Sequence, residues 1–244
     1  MLIMKSVTWN PWHGCTKISP GCAHCYVYRI DSFYDKSESN FCRKTGNFYL
    51  PVRLNRQKQY KIEPGTLVYT CFTSDFFLED ADEWREEAWN MIRKRSDCTF
   101  LFYTKRIERM RECLPCDWGV GYDNVIIGCT VENEQMAKTR LPVFISMPIK
   151  HRIIGVEPML ERINIEKYLS DNVESVSVGG ESGEDARVCD FDWVLDIRNQ
   201  CIRRNVAFTY HQTGSKLIKD GRIYNIPRAM QHIQAKKASV DFLI

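Results

Sequence analysis

The chain has 244 residues, 44% of them hydrophobic and 27% charged, close to the globular average and against a disordered or fibrous protein. No run approaches the roughly 20 apolar residues that span a bilayer, and a formal charge of +3 is too weak by itself to argue a nucleic-acid partner. Met1-Leu2-Ile3-Met4-Lys5 lacks the basic start, long apolar run and cleavage site of a signal peptide, so the odd count of eleven cysteines predicts a reducing, cytoplasmic setting in which thiols bind metal, react or fill the core.

In chain order, short runs rich in β-branched and aromatic residues predict strands over 4–10, 67–72, 99–104, 125–129, 152–156, 173–179 and 206–210. Most are continuous rather than alternating, as in strands covered on both faces. Helices are predicted between them, over 22–35, 82–95, 105–113, 133–140 and 190–204. In 82–95 the residues Trp84, Ala88, Trp89, Met91 and Ile92 fall near one face; in 190–204, Trp193, Val194, Ile197 and Cys201 do the same, with Asp190 or Asp192 as the cap. The spacing of roughly 25–30 residues is that of a βα unit, whose crossover is right-handed. About six or seven such units predict an α/β fold, a partial or full (βα) barrel of parallel strands, as one domain over 1–244. The segment 36–66 interrupts the rhythm as an inserted basic loop or lid, with a short helix, and 211–244 forms a C-terminal extension. Functional groups in such a fold gather at the C-terminal ends of the strands, where the βα loops open.

Directly after the first strand comes Cys15-Thr-Lys-Ile-Ser-Pro-Gly-Cys22-Ala-His-Cys25-Tyr26. Soft thiolates select zinc, copper(I) or iron–sulfur clusters over hard ions. Three cysteines can hold a four-iron cluster and leave one iron without a protein ligand, a place for a substrate to bind and be reduced. Two alternatives stay open. His13 with Cys15, Cys22 and Cys25 makes a Cys₃His zinc site, and a distant fourth cysteine would convert the cluster into an electron-transfer or sensing centre. Cys113-Leu-Pro-Cys116 stands isolated and reads as a helix-end turn. Trp9, Asn10, Trp12 and His13 lie between strand and cysteines, where aromatic rings either shield a cluster or pack the core.

Several stretches carry a family resemblance: Thr8-Trp-Asn-Pro-Trp-His-Gly-Cys15, Pro20-Gly-Cys-Ala-His-Cys-Tyr26, Phe102-Tyr-Thr-Lys-Arg106 with Arg109-Met110, Gly128-Cys-Thr-Val-Glu-Asn133, Gly155-Val-Glu-Pro158 and Val178-Gly-Gly-Glu-Ser-Gly183. In these the chain resembles the phage-associated three-cysteine-motif family of radical S-adenosylmethionine (SAM) type, over nearly its whole length. The cysteine spacing is C-x6-C-x2-C in place of the commoner C-x3-C-x2-C, and the turn Ser19-Pro20-Gly21 absorbs the longer gap. The resemblance implies a [4Fe-4S] cluster on Cys15, Cys22 and Cys25. SAM would chelate the open iron through its amino and carboxylate groups, and one electron from an external donor would release a 5′-deoxyadenosyl radical that abstracts hydrogen from a substrate. The cofactor carries that chemistry and the protein orients it.

The same resemblance assigns cofactor-binding roles at the strand ends. Ser74 and Asp75, with Thr73, follow the second strand, and Asp75 would accept from the SAM amino group. Thr104, Lys105 and Arg106 follow the third, where Lys105 would pair with a carboxylate or a substrate anion. Thr130, Glu132 and Asn133 follow the fourth, with Glu132 as ribose partner. Glu157 ends the fifth. Gly179, Gly180 and Glu181, with Ser182, end the sixth; a Gly-Gly-Glu tripeptide in that superfamily contacts the SAM amino group, commonly after the second strand. His211 and Gln212 follow the seventh, and His24 takes the place of an aromatic residue that packs on adenine. No catalytic residue is assigned, and Ser-His-Asp, P-loop and His-Glu-x-x-His patterns are absent.

Between Cys42 and Ile62, Arg43, Lys44, Arg53, Arg56, Lys58 and Lys61 stand without an acid, interleaved with Phe48, Tyr49 and Tyr60; Lys216, Lys219, Arg222, Arg228, Lys236 and Lys237 add charge in the tail. Basic groups contact phosphates while aromatic faces stack on bases, so a nucleic-acid or nucleotide substrate is expected beside the plain reading of a solvated basic loop. The rival functions are a zinc-stabilised nucleic-acid-binding protein without catalysis and an iron–sulfur redox or sensor protein.

Overall fold

The computed structural model describes residues 5–34 and 39–244. Met1–Met4, which include the start of the first predicted strand, the end of the first predicted helix at 35, and 36–38 at the start of the predicted insert lie outside the described residues. The chain runs β1 (Ser6–Trp9), β2 (Trp12–His13), α1 (Tyr26–Phe33), β3 (Arg43–Lys44), β4 (Leu67–Thr70), α2 (Asp82–Lys94), β5 (Thr99–Thr104), α3 (Met110–Cys113), β6 (Val125–Thr130), α4 (Glu134–Ser146), β7 (His151–Val156), β8 (Val173–Gly179), β9 (Cys189–Asp190), α5 (Phe191–Arg203), β10 (Ala207–Gln212), β11 (Lys216–Lys219), β12 (Arg222–Asn225) and α6 (Arg228–Lys237).

All seven predicted strands occur, as one sheet in the order β1-β4-β5-β6-β7-β8-β10. The pairs β1·β4, β4·β5, β7·β8 and β8·β10 are parallel. Each sheet strand therefore neighbours the next one in the chain, the order of a partial (βα) barrel; a doubly wound sheet reverses its order at a switch point. By contact the chain falls into two compact units. One comprises Met1–Thr16, Asp31–Gly128 and Met147–His151; the other comprises Lys17–Ile30, Cys129–Ser146 and Arg152–Ile244.

The first unit is built on an aromatic core. Phe76 stacks on Phe102 at 4.6 Å between ring centres, with Trp89 edge-on at 4.8 Å and Trp12 tilted at 5.2 Å. Each buried indole N–H finds a carbonyl: Trp9 donates to Phe48, Trp12 to Asp75 and Trp89 to Cys113, so the rings are buried without stranding a donor. Helix α2 covers this core with Ala88, Trp89, Met91 and Ile92, as its periodicity predicts, but Trp84 of the predicted face is only half-buried and Arg85, outside that face, is buried because its guanidinium donates to the Phe76 carbonyl. The helix predicted over 105–113 begins as a 3₁₀ turn at Ile107–Arg109 and becomes α3. The described part of the insert, 39–66, holds β3, a 3₁₀ turn at Leu50–Val52 and a bridge between Leu54 and Tyr60. Fully buried Arg95 donates to the carbonyls of Pro51 and Ile62, pairs with Asp97, and lies 4.3 Å over the Tyr60 ring.

In the second unit Ile154, Val156, Val176, Val178 and Phe208 of the strands are fully buried, as are Leu141 and Phe144 of α4 and Val194, Ile197 and Cys201 of α5. Asp190 caps α5 by accepting from the Asp192 amide at 2.9 Å, settling which of the two predicted acids does so. Helix α4 passes through Pro142 to Ser146, beyond its predicted end; burial of Leu141 and Phe144 on either side of the proline outweighs the lost backbone bond. The C-terminal extension adds the antiparallel hairpin β11–β12, β9 pairing parallel with β11, and α6. Among the described residues no helix is long and apolar enough to cross a membrane.

Candidate functional site

At the strand ends of the first unit, the predicted residues Asp75, Thr104, Lys105 and Arg106 come together. Asp75 is buried. Its carboxylate accepts from the Thr104 hydroxyl at 2.8 Å, the Lys105 amide at 2.9 Å and the Phe77 amide at 3.0 Å, with the Arg106 guanidinium at 3.6 Å. Arg106 in turn reaches the start of the cysteine loop, donating to the Thr16 carbonyl and hydroxyl at 2.7 Å each and lying 3.5 Å from Cys15 Sγ. The Cys15 amide donates to Ser39 O, and the Ser74 hydroxyl to Gly14 O. Ser74 thus braces the loop backbone. His13 turns Nε2 onto the buried carboxylate of Asp31 at 2.8 Å.

Two further thiols, Cys42 and Cys71, lie within electrostatic reach of Cys15. Burial pushes Cys42 up to about 12 and holds Cys71 well above the ordinary thiol range. Burial also raises Cys98 and Cys113, and carries Cys189 and Cys201 to about 12. A thiol held protonated by an apolar setting is a poor ligand, so these six fit core packing. Cys113 closes α3 while Cys116 is exposed, as the helix-end reading of their pair expects.

In the second unit, four side chains grip the rest of the loop. Glu132 is fully buried: Oε1 accepts from the Gly21 amide at 3.1 Å and Oε2 pairs with Arg140 at 2.9 Å. Glu181, also buried, accepts from His24 Nδ1 at 3.0 Å and from the Arg187 amide and guanidinium at 2.8 and 2.5 Å. Burial pushes the Glu181 carboxyl up, but the bonds from Arg187 and His24 outweigh it and hold it below the usual range. Arg187 also donates to Pro20 O at 2.9 Å, and Arg29 of α1 to Ser182 O at 2.6 Å. At Gly183 φ is +124°, and an added Cβ would collide with the Arg29 guanidinium. The Gly-Gly-Glu-Ser-Gly segment is thus a seat for the loop and its helix. Gly180 packs so closely on the Thr213 carbonyl that any side chain would displace it.

Glu157, at the end of β7, stands apart from the other acids. Its side chain is 25% exposed, against 0% for Glu132 and 4% for Glu181, and it meets His211 Nδ1 at 2.9 Å. The hydrogen bond from Glu157 raises the His211 pKa against the opposing effect of burial. Gly179 backs onto this pair, with room for no Cβ between Gln212 and the Glu157 carboxylate. Gln212 bonds Gly180 O and the Ser182 hydroxyl at 3.1 and 3.0 Å.

The loop brings three thiols of the type that soft metals select: Cys15, Cys22 and Cys25 are in no disulfide and are half-exposed. Among the described residues no group of three or more His, Cys, Asp or Glu side chains is arranged to hold a metal ion. The donor chemistry therefore fits a cluster, while a side-chain cage is not preformed. Of the basic insert, Phe48 is buried and Tyr60 lies under Arg95, leaving Arg43, Tyr49, Arg56, Lys58 and Lys61 exposed. No motif marks Arg140 or Arg187 in the sequence: Glu132 and Glu181 lie only eight and six residues from them, while the Pro20 contact of Arg187 spans 167 residues. An Arg near the Gly-Gly-Glu motif was the only local signal.

A family model described as a protein of unknown function, DUF5131, matches residues 4–240. No curated protein matches the chain. No solved structure matches it either.

Proposed function

We propose that this chain, which belongs to the DUF5131 family, is a radical SAM enzyme that holds a [4Fe-4S] cluster at Cys15, Cys22 and Cys25. One observation carries the reading. Of the eleven cysteines these three share a single loop and are half-exposed, whereas Cys42, Cys71, Cys98, Cys113, Cys129, Cys189 and Cys201 are buried and Cys116 stands alone on the surface. Cluster and SAM, when bound, supply reductive cleavage of the sulfonium and hydrogen abstraction from a substrate.

The chain's own residues position the loop. Glu132 holds the Gly21 amide and Arg187 the Pro20 carbonyl, so the turn before Cys22 is fixed through backbone atoms and its thiol is left for a ligand. Glu181 holds His24 in the same way. Glu157, at the end of β7 and 25% exposed, is the acid we assign to the SAM amino group, with His211 orienting its carboxylate. The exposed Arg43, Arg56, Lys58 and Lys61 with Tyr49 favour a nucleic-acid or nucleotide substrate, and an external donor supplies the electron.

The test is anaerobic reconstitution with iron and sulfide, then dithionite and SAM. A brown protein that forms 5′-deoxyadenosine, with product lost in Cys22→Ala, supports the proposal. Undiminished turnover in that variant refutes the cluster assignment. Stoichiometric zinc without sulfide would point to a zinc-stabilised binding protein, and a cluster that binds no SAM to a redox or sensor protein.

A further inference from the structure

We propose that the C-terminal extension forms a second binding site, a pocket for a nucleotide unit, separate from the cysteine loop and independent of any metal. A cavity of about 680 Å³ lies within the second unit, walled by Phe191, Tyr210, Tyr224, Asn225, Lys219 and Lys237 among others. That size is in the range of small-molecule sites, which combine apolar and aromatic walls with a few convergent polar groups.

Three features define the ligand. The first is Tyr210, 2% exposed, whose buried hydroxyl has no hydrogen-bond partner among the described residues. A buried hydroxyl is ordinarily satisfied, and here a polar atom of a ligand would satisfy it. The second is aromatic surface: Phe191 is tilted against Tyr210 at 5.9 Å between ring centres, and Tyr224 is 44% exposed on the opposite hairpin. Planar bases stack on such faces. The third is charge. Lys219 and Lys237 line the cavity, Lys219 lying 5.2 Å over the Phe191 ring, and no Asp or Glu is among the described lining residues. Around it the extension carries Lys216, Arg222, Arg228 and Lys236 against only Asp220 and Asp241. A flat body, a polar edge and an anionic group together describe a nucleobase with its phosphate. The Asn225 amide, donor and acceptor at once, suits a base edge.

The full chain titrated calorimetrically with the four ribonucleoside 5′-monophosphates, their nucleosides and inorganic phosphate tests this. The expected result is that at least one monophosphate binds tenfold or more tightly than its nucleoside, with phosphate alone unable to compete. Tyr210→Phe should weaken it at least fivefold without lowering the melting temperature of the free protein, since only an unpartnered hydroxyl is lost. Tyr224→Ala, on an exposed wall where folding is not at stake, should weaken it comparably, and Lys219→Met should reduce the monophosphate to the nucleoside's affinity. A single-stranded ten-nucleotide oligomer that binds more tightly than the monomers upholds the site with a strand as its source; weaker binding than the monomers upholds it with a free nucleotide. Equal binding of nucleoside and monophosphate, unchanged affinity in Tyr210→Phe and Tyr224→Ala, or tighter binding of an acidic aromatic peptide than of any nucleotide would overturn it.

Discussion

The strand ends of the two units use their acids differently. In the first unit the one strand-end carboxylate, Asp75, is closed off mainly by neutral donors from its own and the next strand, the Thr104 hydroxyl and two amides. In the second unit Glu132 and Glu181 each pair with an arginine, Arg140 and Arg187, and spend their remaining oxygen capacity on the segment that carries Cys22 and Cys25. A buried ion pair is costly to break, because the surviving charge has no partner, whereas neutral donors around a carboxylate can be lost one at a time. The second unit therefore holds its part of the loop through buried ion pairs, whereas the first holds Cys15 through a backbone bond to Ser39 and the brace of Ser74 on Gly14, with the Arg106 guanidinium 3.5 Å from its sulfur.

The largest effect should come from the buried pair. Glu132→Ala strands Arg140 and should destabilise the protein by about 3–5 kcal/mol, read from urea denaturation at neutral pH. Thr104→Val, which removes one neutral donor from Asp75, should cost about 1.5–3 kcal/mol in the same assay. Equal losses in the two variants would erase the contrast between the units.

A smaller effect separates Glu157 from the other acids. Glu157 raises the folded-state pKa of His211, so the pair's stabilisation is complete below the unfolded value of about 6.5. It fades as pH rises through the folded value. Glu157→Gln should remove that slope from a stability–pH profile and lower the His211 pKa in an NMR titration; an unmoved His211 resonance would sink the pairing. The effect is modest because both side chains are partly solvated.

The most local effect, read in thiol reactivity rather than stability, is at Arg106. Arg106→Met takes a positive charge from beside Cys15 Sγ and should slow alkylation of Cys15 relative to Cys22, followed by mass spectrometry of the modified peptides. Equal slowing at both thiols would show that Arg106 acts on the loop as a whole.

Much of the fold could be read without coordinates. All seven sheet strands fall where β-branched and aromatic runs place them; β5 and β6 are buried over most positions, a mark that needs no knowledge of their neighbours, while β4 alternates. The helices α2 and α5 show their buried faces in the same way, through spacing alone. The two-residue strands β2, β3 and β9, the exposed hairpin strand β12 and helix α6 leave no such mark. Helix α6 buries only Gln231 and Ala235, too little apolar surface to produce a period.

The cysteine loop, its place after the first strand and the acids at the strand ends are properties of the sequence, since motif spacing and local hydrophobicity are written along the chain. Which acid does what was decided only by tertiary structure. Asp75, Glu132, Glu157 and Glu181 look alike in sequence, and their differences come from burial and from partners both near, such as Arg140 and Arg187, and far, such as the Gly21 amide, His24 and His211. Tyr210 belongs to the same class: its strand was legible, but that its hydroxyl would be buried without a partner depended on how the extension folds back over it.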